Sequence, residues 1–361
     1  MNKKRIIISG GGTAGHLYPG LAVGQKLKEK NPNLDLVYVG SSRGLEKKIM
    51  NHYQVDFIPM KIEGLKGKGL KIIKSLFLIP FSLLKSWILL KRFKPDLVIG
   101  VGGYSSGPIV LLASWLKIPT LILEQNLKPG FTNRLLIPWI RKAVVAFKES
   151  LPAFKGKGIF IGNPVREEFY NLQPKEKDSH KLTVLIFGGS QGSNFLNKAV
   201  VEALPYLSQV KKNLIILHQT GKNDLEWVKQ SYQQHGFKDV VVAPYFYNID
   251  QYFQKSDLII SRAGATTIAE LIAARKASLL IPFSKATDNH QLLNARYLER
   301  MKAAEIMVEE ELRPPLLAEK IIDFLKNRAK INQMEKNLEA LSTENVTEKI
   351  ACLCLEMMEA G

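Results

Sequence analysis

The chain has 361 residues, 46 % of them apolar, 9 % aromatic and 23 % charged, a composition that excludes a disordered or fibrous protein. Its net charge of +18 lies wholly in residues 1–163, which hold 26 basic and 8 acidic side chains (26 − 8 = +18), while the remainder holds 25 of each. That length outgrows one core and so uneven a charge predicts two modules, the first facing an anionic partner; two cysteines, Cys352 and Cys354, are too few for a disulfide framework.

Met1 to Arg5 carry three basic residues, but only Ile6, Ile7 and Ile8 follow before Gly10, which reads as a strand entering a glycine loop rather than a secretion signal. No run approaches the ~20 apolar residues of a spanning helix, and a cytoplasmic location is expected. Along the chain, short β-branched runs alternate with longer amphipathic segments, the pattern of an α/β fold with parallel sheets. Strands are predicted at 5–9, 34–40, 96–100, 120–124 and 143–147, then at 183–187, 213–219, 240–244, 258–261 and 277–282.

Each series opens alike. Ile6–Ser9 runs into Gly10-Gly11-Gly12-Thr13-Ala14-Gly15, and Val184–Phe187 into Gly188-Gly189-Ser190-Gln191-Gly192-Ser193, each loop then entering a helix. Two Rossmann-like domains are therefore predicted, 1–163 and 164–343, joined at Gly162-Asn163-Pro164. The tail 344–361 reads as a helix packing back on the first domain, with Val346, Ile350, Leu353 and Met357 at helical spacing.

Glycine lets backbone N–H groups approach a phosphate, and the helix that follows adds its positive end. Gly10, Gly12 and Gly15 satisfy G-x-G-x-x-G, yet the second strand ends Val39-Gly40-Ser41-Ser42 with no acid to hold a ribose, which disfavours a nicotinamide cofactor. A further glycine loop, Gly100 to Pro108, includes Tyr104, and Glu124-Gln125-Asn126 places polar groups at another strand's end. In the second half, Ser261-Arg262-Ala263-Gly264-Ala265-Thr266-Thr267 leads into a helix carrying Glu270, a carboxylate able to accept both hydroxyls of a ribose. A polar loop, Pro282 to Gln291, enters another helix.

GGTAGHLYPGLAV (11–23), GVGGYSSGP (100–108), EQN (124–126), GNPVR (162–166), GGSQGS (188–193), SRAGATTIAE (261–270) and DNHQLLNA (288–295) together resemble, in order, the MurG family of peptidoglycan N-acetylglucosaminyltransferases. The resemblance implies a GT-B fold, two Rossmann-like domains facing across a cleft. It implies an inverting transfer of N-acetylglucosamine from UDP-GlcNAc to the 4-hydroxyl of lipid I, undecaprenyl-pyrophosphoryl-MurNAc-pentapeptide, on the cytoplasmic face of the bacterial membrane. By motif position, Ser190, Gln191 and Arg166 are expected at the donor, Gly264, Ala265, Thr266 and Thr267 at its diphosphate, and Glu270 at its ribose. Gln291 is expected at the sugar and the Phe246 backbone at the uracil edge. Thr13, Ala14, Gly15, His16, Tyr104 and Asn126 are expected at the donor sugar and acceptor. Ala14 departs from the family, which commonly has glycine there.

Such a transfer needs a base for the attacking hydroxyl and stabilisation of the departing diphosphate. His16 and Glu124 are the candidate bases, a histidine's ordinary pKa near ~6.5 suiting the task. Helix N-termini at the glycine loops can stabilise the leaving group; there is no D-x-D sequence, and no metal or other cofactor is expected. Residues 61–94 hold nine basic side chains against one acid, interleaved with runs such as Trp87-Ile88-Leu89-Leu90. This segment is expected to lie on an anionic membrane surface, and its aliphatic interleaving disfavours nucleic acid. The competing readings are another GT-B enzyme, such as a glycolipid synthase or sugar-nucleotide epimerase, and a non-enzymatic binding module.

Overall fold

The structure, a computed structural model, describes residues 3–11, 14–41, 44–60, 70–173, 180–342 and 345–360. Thr13 and residues 61–69 lie outside this set, as do the side chains of Ala14 and of 70–79. The chain forms two compact units, Met1–Arg166 with Thr343–Gly361, and Glu167–Ser342.

Among the described residues the first unit contains a seven-stranded sheet: β1 (Arg5–Ser9), β2 (Asp35–Ser41), β3 (Phe57–Met60), β4 (Leu97–Gly100), β5 (Thr120–Glu124), β6 (Lys142–Val145) and β7 (Gly158–Phe160). Every pairing is parallel, in the order β3-β2-β1-β4-β5-β6-β7. Ile6, Ile7 and Ile8 of β1 and Val98 and Ile99 of β4 are essentially inaccessible, as strands covered by helices on both faces require. β3 and β7 were not predicted; both are short edge strands whose partly exposed residues lack the buried apolar run that marks a central strand, and β3 contains Pro59.

The second unit contains β8 (Leu182–Phe187), β9 (Leu214–Gln219), β10 (Val240–Ala243), β11 (Leu258–Ser261), β12 (Ser278–Leu280) and β13 (Glu305–Ile306), all parallel, in the order β10-β9-β8-β11-β12-β13. Its core joins β8, β9 and β11 to Leu196, Val200, Leu317, Ile321 and Phe324 of the covering helices. β13, the two-residue edge strand, also escaped the sequence reading.

The first unit runs to Arg166, past the boundary expected at 163. The C-terminal helix Val346–Glu359 holds the intervening residues: Thr347 Oγ1 donates to the Val165 carbonyl at 2.9 Å, and a Cβ on Gly162 would stand 3.0 Å from Val346 Cγ2. This helix buries Ile350, Cys354 and Met357 and packs on the helix Ala14–Lys30, where Lys30 pairs with Glu348. Cys352 and Cys354 are free thiols, and burial pushes Cys354 up, away from its reactive form.

The order of each sheet fixes where its loops meet. In both, the first strand lies between the second and fourth, so the chain winds outward in opposite directions from that point. Loops leaving the C-terminal ends of those adjacent strands form the switch-point crevice where α/β sheets bind ligands. In the first unit these are the loops after β1 and β4, in the second those after β8 and β11.

Candidate active site

In the first unit the loops after β1 and β4 interlock through glycine. A Cβ on Gly103, whose φ is +77°, would lie 2.1 Å from the Gly11 carbonyl oxygen, so only hydrogen permits the approach. A Cβ on Gly102 would lie 2.9 Å from His16 Nδ1, so the imidazole rests directly on this loop. Tyr104 is half-buried beside it, and burial raises its phenol pKa. Gly15 is also half-buried, in the first turn of the helix Ala14–Lys30.

No acid ends β2, but Glu46 of the helix Gly44–His52 turns its buried carboxylate back onto it, accepting from Ser41 N at 2.8 Å and Ser41 Oγ at 2.6 Å. A Cβ on Gly11 would lie 2.6 Å from Glu46 Oε2. A carboxylate thus packs directly against Gly11, two residues past β1.

Glu124, at the end of β5, is buried and accepts four hydrogen bonds. Oε1 takes Asn126 N at 3.0 Å and Asn126 Nδ2 at 3.3 Å; Oε2 takes Gly130 N and Asn133 Nδ2, both at 2.9 Å. Burial raises its pKa while these donors oppose the rise. Each oxygen thus has two donors, and through them Glu124 shapes the loop that carries Asn126. Gln125 Nε2, on the opposite face of the strand end, donates to the Val101 carbonyl at 3.0 Å.

Arg166, expected with the donor-binding domain, belongs to the first unit. It is buried there with Nη1 donating to Tyr53 Oη at 2.9 Å and its guanidinium 4.3 Å from the centre of the Tyr18 ring.

In the second unit, Gly189 and Gly192 of the loop after β8 have φ of +94° and +78°. A Cβ on Gly192 would lie 2.1 Å from the Thr220 carbonyl oxygen, which packs this loop backbone to backbone on the one after β9. Ser190 is half-buried and Gln191 exposed. Ser193 caps the helix Asn194–Ala203 by accepting from Leu196 N at 3.3 Å.

β11 ends at Ser261, and Arg262, passed over in sequence, proves to be a hub. Its Nη2 donates to Ser193 Oγ at 2.9 Å, its Nη1 to the Ile281 carbonyl at 3.0 Å, and it pairs with Glu309. Burial alone would raise Glu309, but the Ser284 hydroxyl and Arg262 hold it below the usual carboxylate range. Then Gly264, in extended conformation, starts the helix Ala265–Ala274 without a side-chain cap. Thr266 and Glu270 of this helix are buried, whereas Ala265 and Thr267 are half-buried.

Phe246 follows β10, stacked on Tyr252 with ring centroids 3.7 Å apart. Its N–H, expected at a uracil edge, donates at 2.7 Å to Gln219 Oε1. Gln291 Oε1 likewise accepts from Phe283 N at 3.0 Å, holding together the turn after β12. Sheet order sets the loop after β8, which carries Ser190, next to the turn and helix after β11, which carry Gly264, Thr266 and Glu270, while Phe246 follows β10 on the far side of β9. Gln219 and Arg262 were missed because their partners are distant in sequence, and Asn133 because local pattern does not show that the turn after β5 folds back on Glu124.

Two doubly wound parallel sheets, each with its loops meeting at the switch point, are the architecture of the GT-B glycosyltransferases. Residues 6–146 match the glycosyltransferase family 28 N-terminal domain and residues 183–350 its C-terminal domain. The UDP-N-acetylglucosamine--N-acetylmuramyl-(pentapeptide) pyrophosphoryl-undecaprenol N-acetylglucosamine transferase of Myxococcus xanthus is 40 % identical, covering 98 % of this chain and 93 % of that protein. The protein of the same name from Desulfotalea psychrophila is 39 % identical, over 99 % and 97 %. The crystal structure of Acinetobacter baumannii MurG superposes with a TM-score of 0.75 at 27 % identity, covering 98 % and 99 % of the two chains. The chain belongs to glycosyltransferase family 28 and, within it, to the MurG transferases.

Proposed function

We propose that this chain is an inverting glycosyltransferase that moves N-acetylglucosamine from UDP-GlcNAc to the 4-hydroxyl of lipid I, forming lipid II and releasing UDP. The observation that carries this reading is 40 % identity, over 98 % of the chain, to a transferase named for that reaction.

The second unit takes the donor in this reading. The N-terminal end of the helix Ala265–Ala274 and the glycine loop Gly188–Ser193 direct partial positive charge at the diphosphate, which offsets the negative charge that develops as the sugar departs. Glu270 accepts the ribose hydroxyls, Ser190 and Gln291 meet the phosphate and sugar, and the Phe246 backbone meets the base. The first unit takes the acceptor, with His16 removing the proton of the attacking hydroxyl and Asn126, held by Glu124, orienting it. Nothing in this scheme calls on a metal.

The acceptor is lipid-linked, and the second half of the helix Leu70–Phe93 suits an interface. Phe81, Leu84, Trp87 and Ile88 are 49 %, 53 %, 46 % and 50 % exposed, and the Lys85 ammonium lies 4.5 Å from the Phe81 ring centre. Apolar side chains spaced along one helix face among lysines fit the acyl boundary beneath anionic headgroups. No described helix is long and apolar enough to cross a membrane. We place the protein at the cytoplasmic face of the bacterial inner membrane, peripherally bound. The deciding measurement is UDP release from UDP-GlcNAc. Release that requires a lipid I analogue and yields a disaccharide supports the reading; release without the acceptor, or 2-epimerisation of the sugar, overturns it.

A further inference from the structure

Gln219 is the last residue of β9, and the sheet order β10-β9-β8 sets it between the glycine loop that follows β8 and the Pro244–Tyr247 segment that follows β10. Its side chain is 2 % exposed and spans that gap. Nε2 donates to the Gly189 carbonyl at 3.0 Å, and Oε1 accepts from Phe246 N at 2.7 Å. The strand end is itself held firmly. On its other face His218 is fixed between Asn197 and Tyr232, and Asn197 Nδ2 donates to the next carbonyl, that of Thr220, at 2.8 Å.

We propose that Gln219 is a positioning residue for the donor, setting the distance between the loop that meets the diphosphate and the backbone that meets the nucleobase. The inference rests on the donor assignments made above for the loop and for Phe246. A nucleoside diphosphate is recognised at two ends, and two loops on different strands hold it well only if their spacing is set before it arrives. One amide supplies both a donor and an acceptor at fixed separation, which neither a carboxylate nor an apolar side chain of this size does.

The test is binding of UDP-GlcNAc, whose diphosphate diester does not titrate near neutrality, to the full chain and to Gln219→Ala and Gln219→Glu. At pH 8, both variants are expected to weaken donor binding about tenfold, with the lipid acceptor KM unchanged and kcat within roughly threefold. In Gln219→Glu the ionised carboxylate turns an oxygen onto the Gly189 carbonyl; once protonated, the carboxyl donates there and accepts from Phe246 as the amide did. The Gln219→Glu defect is therefore expected to shrink at least fivefold between pH 8 and pH 5.5 relative to the unaltered chain at each pH. A defect that is independent of pH marks a merely structural residue and overturns the inference, as does normal binding by both variants. Should Gln219→Ala fail to fold, the near-isosteric Gln219→Glu decides alone. Failure of the unaltered chain to bind UDP-GlcNAc removes the donor reading itself.

Discussion

The Arg262 guanidinium meets Glu309 with 2.5 Å between Nη2 and Oε1, and the two side chains are only 8 % and 11 % exposed. The pair fastens the end of β11 to the turn after β12, because Glu309 also accepts from Ser284 N at 3.1 Å. Removing one partner leaves the other charge buried, which costs about 3 kcal/mol or more. Glu309→Ala is expected to lose about that much stability in urea unfolding and also to weaken UDP-GlcNAc binding, since Arg262 holds Ser193 in the glycine loop. A variant as stable as the unaltered chain would show that the pair is solvated.

The contact of Gly103 with Gly11 allows no side chain. Gly103→Ala combines a left-handed φ of +77° with a Cβ 2.1 Å from a carbonyl oxygen, whereas Gly156 has a φ of +83° and open space around it. Gly156→Ala is expected to cost about 1 kcal/mol from strain alone, and Gly103→Ala about 2 kcal/mol or more. Only the second displaces the loop under His16, so only the second is expected to lower kcat. Equal melting temperatures for the two variants would refute the interlock.

Glu124 and His16 separate by pH profile. Activity that depends on a deprotonated base rises with pH through that group's pKa. His16→Ala is expected to lose ~10²-fold in kcat together with this acidic limb. Glu124→Gln is expected to lose roughly tenfold, from a mispaired Gly130 or Asn133 donor, and to keep the limb. A limb that disappears with Glu124 would return the base to that residue.

His218 is fully buried, with Nδ1 2.9 Å from Tyr232 Oη and Nε2 3.1 Å from Asn197 Oδ1, and burial pulls its pKa down to about 3, with Asp224 opposing the shift. The unfolded chain takes up a proton on this ring below pH ~6.5, and the native protein refuses it. Its contribution is therefore complete above pH ~6.5 and falls by about 1.4 kcal/mol per pH unit as pH drops toward 3. Between pH 7 and pH 5, the unaltered chain is expected to lose ~2 kcal/mol more than His218→Gln in urea unfolding. Parallel losses would mean the ring is protonated in place.

The exposed face of the helix Leu70–Phe93 is tested with vesicles. Lys85→Glu with Lys91→Glu is expected to lower partitioning onto anionic phospholipid at least tenfold, each basic residue near the surface being worth ~1 kcal/mol. Trp87→Glu is expected to lower binding to anionic and neutral vesicles alike. Cosedimentation unchanged in both variants would remove the membrane from this face.

The central strands were legible because parallel strands buried on both faces need continuous apolar runs, as in Leu182–Phe187 and Ile6–Ile8. Glycine loops at their ends announced themselves in the same way, by composition over a few adjacent residues. The edge strands β3, β7 and β13 carry no such run, since each pairs on one side only and is partly exposed.

Local pattern by itself determined two Rossmann-like series, their glycine loops and a charge of +18 confined to the first 163 residues. Only the tertiary structure decided what those loops touch. Sheet order brings Gln219 to Phe246, Arg262 to Ser193 and Glu46 to Gly11, while the turn after β5 folds back to give Glu124 its donors from residues 126 to 133. It also seats Arg166 between Tyr18 and Tyr53, in the first unit rather than the second. Hydrophobic periodicity is a property of neighbours along the chain. A hydrogen-bond partner is chosen by strands that become neighbours only when the sheet closes.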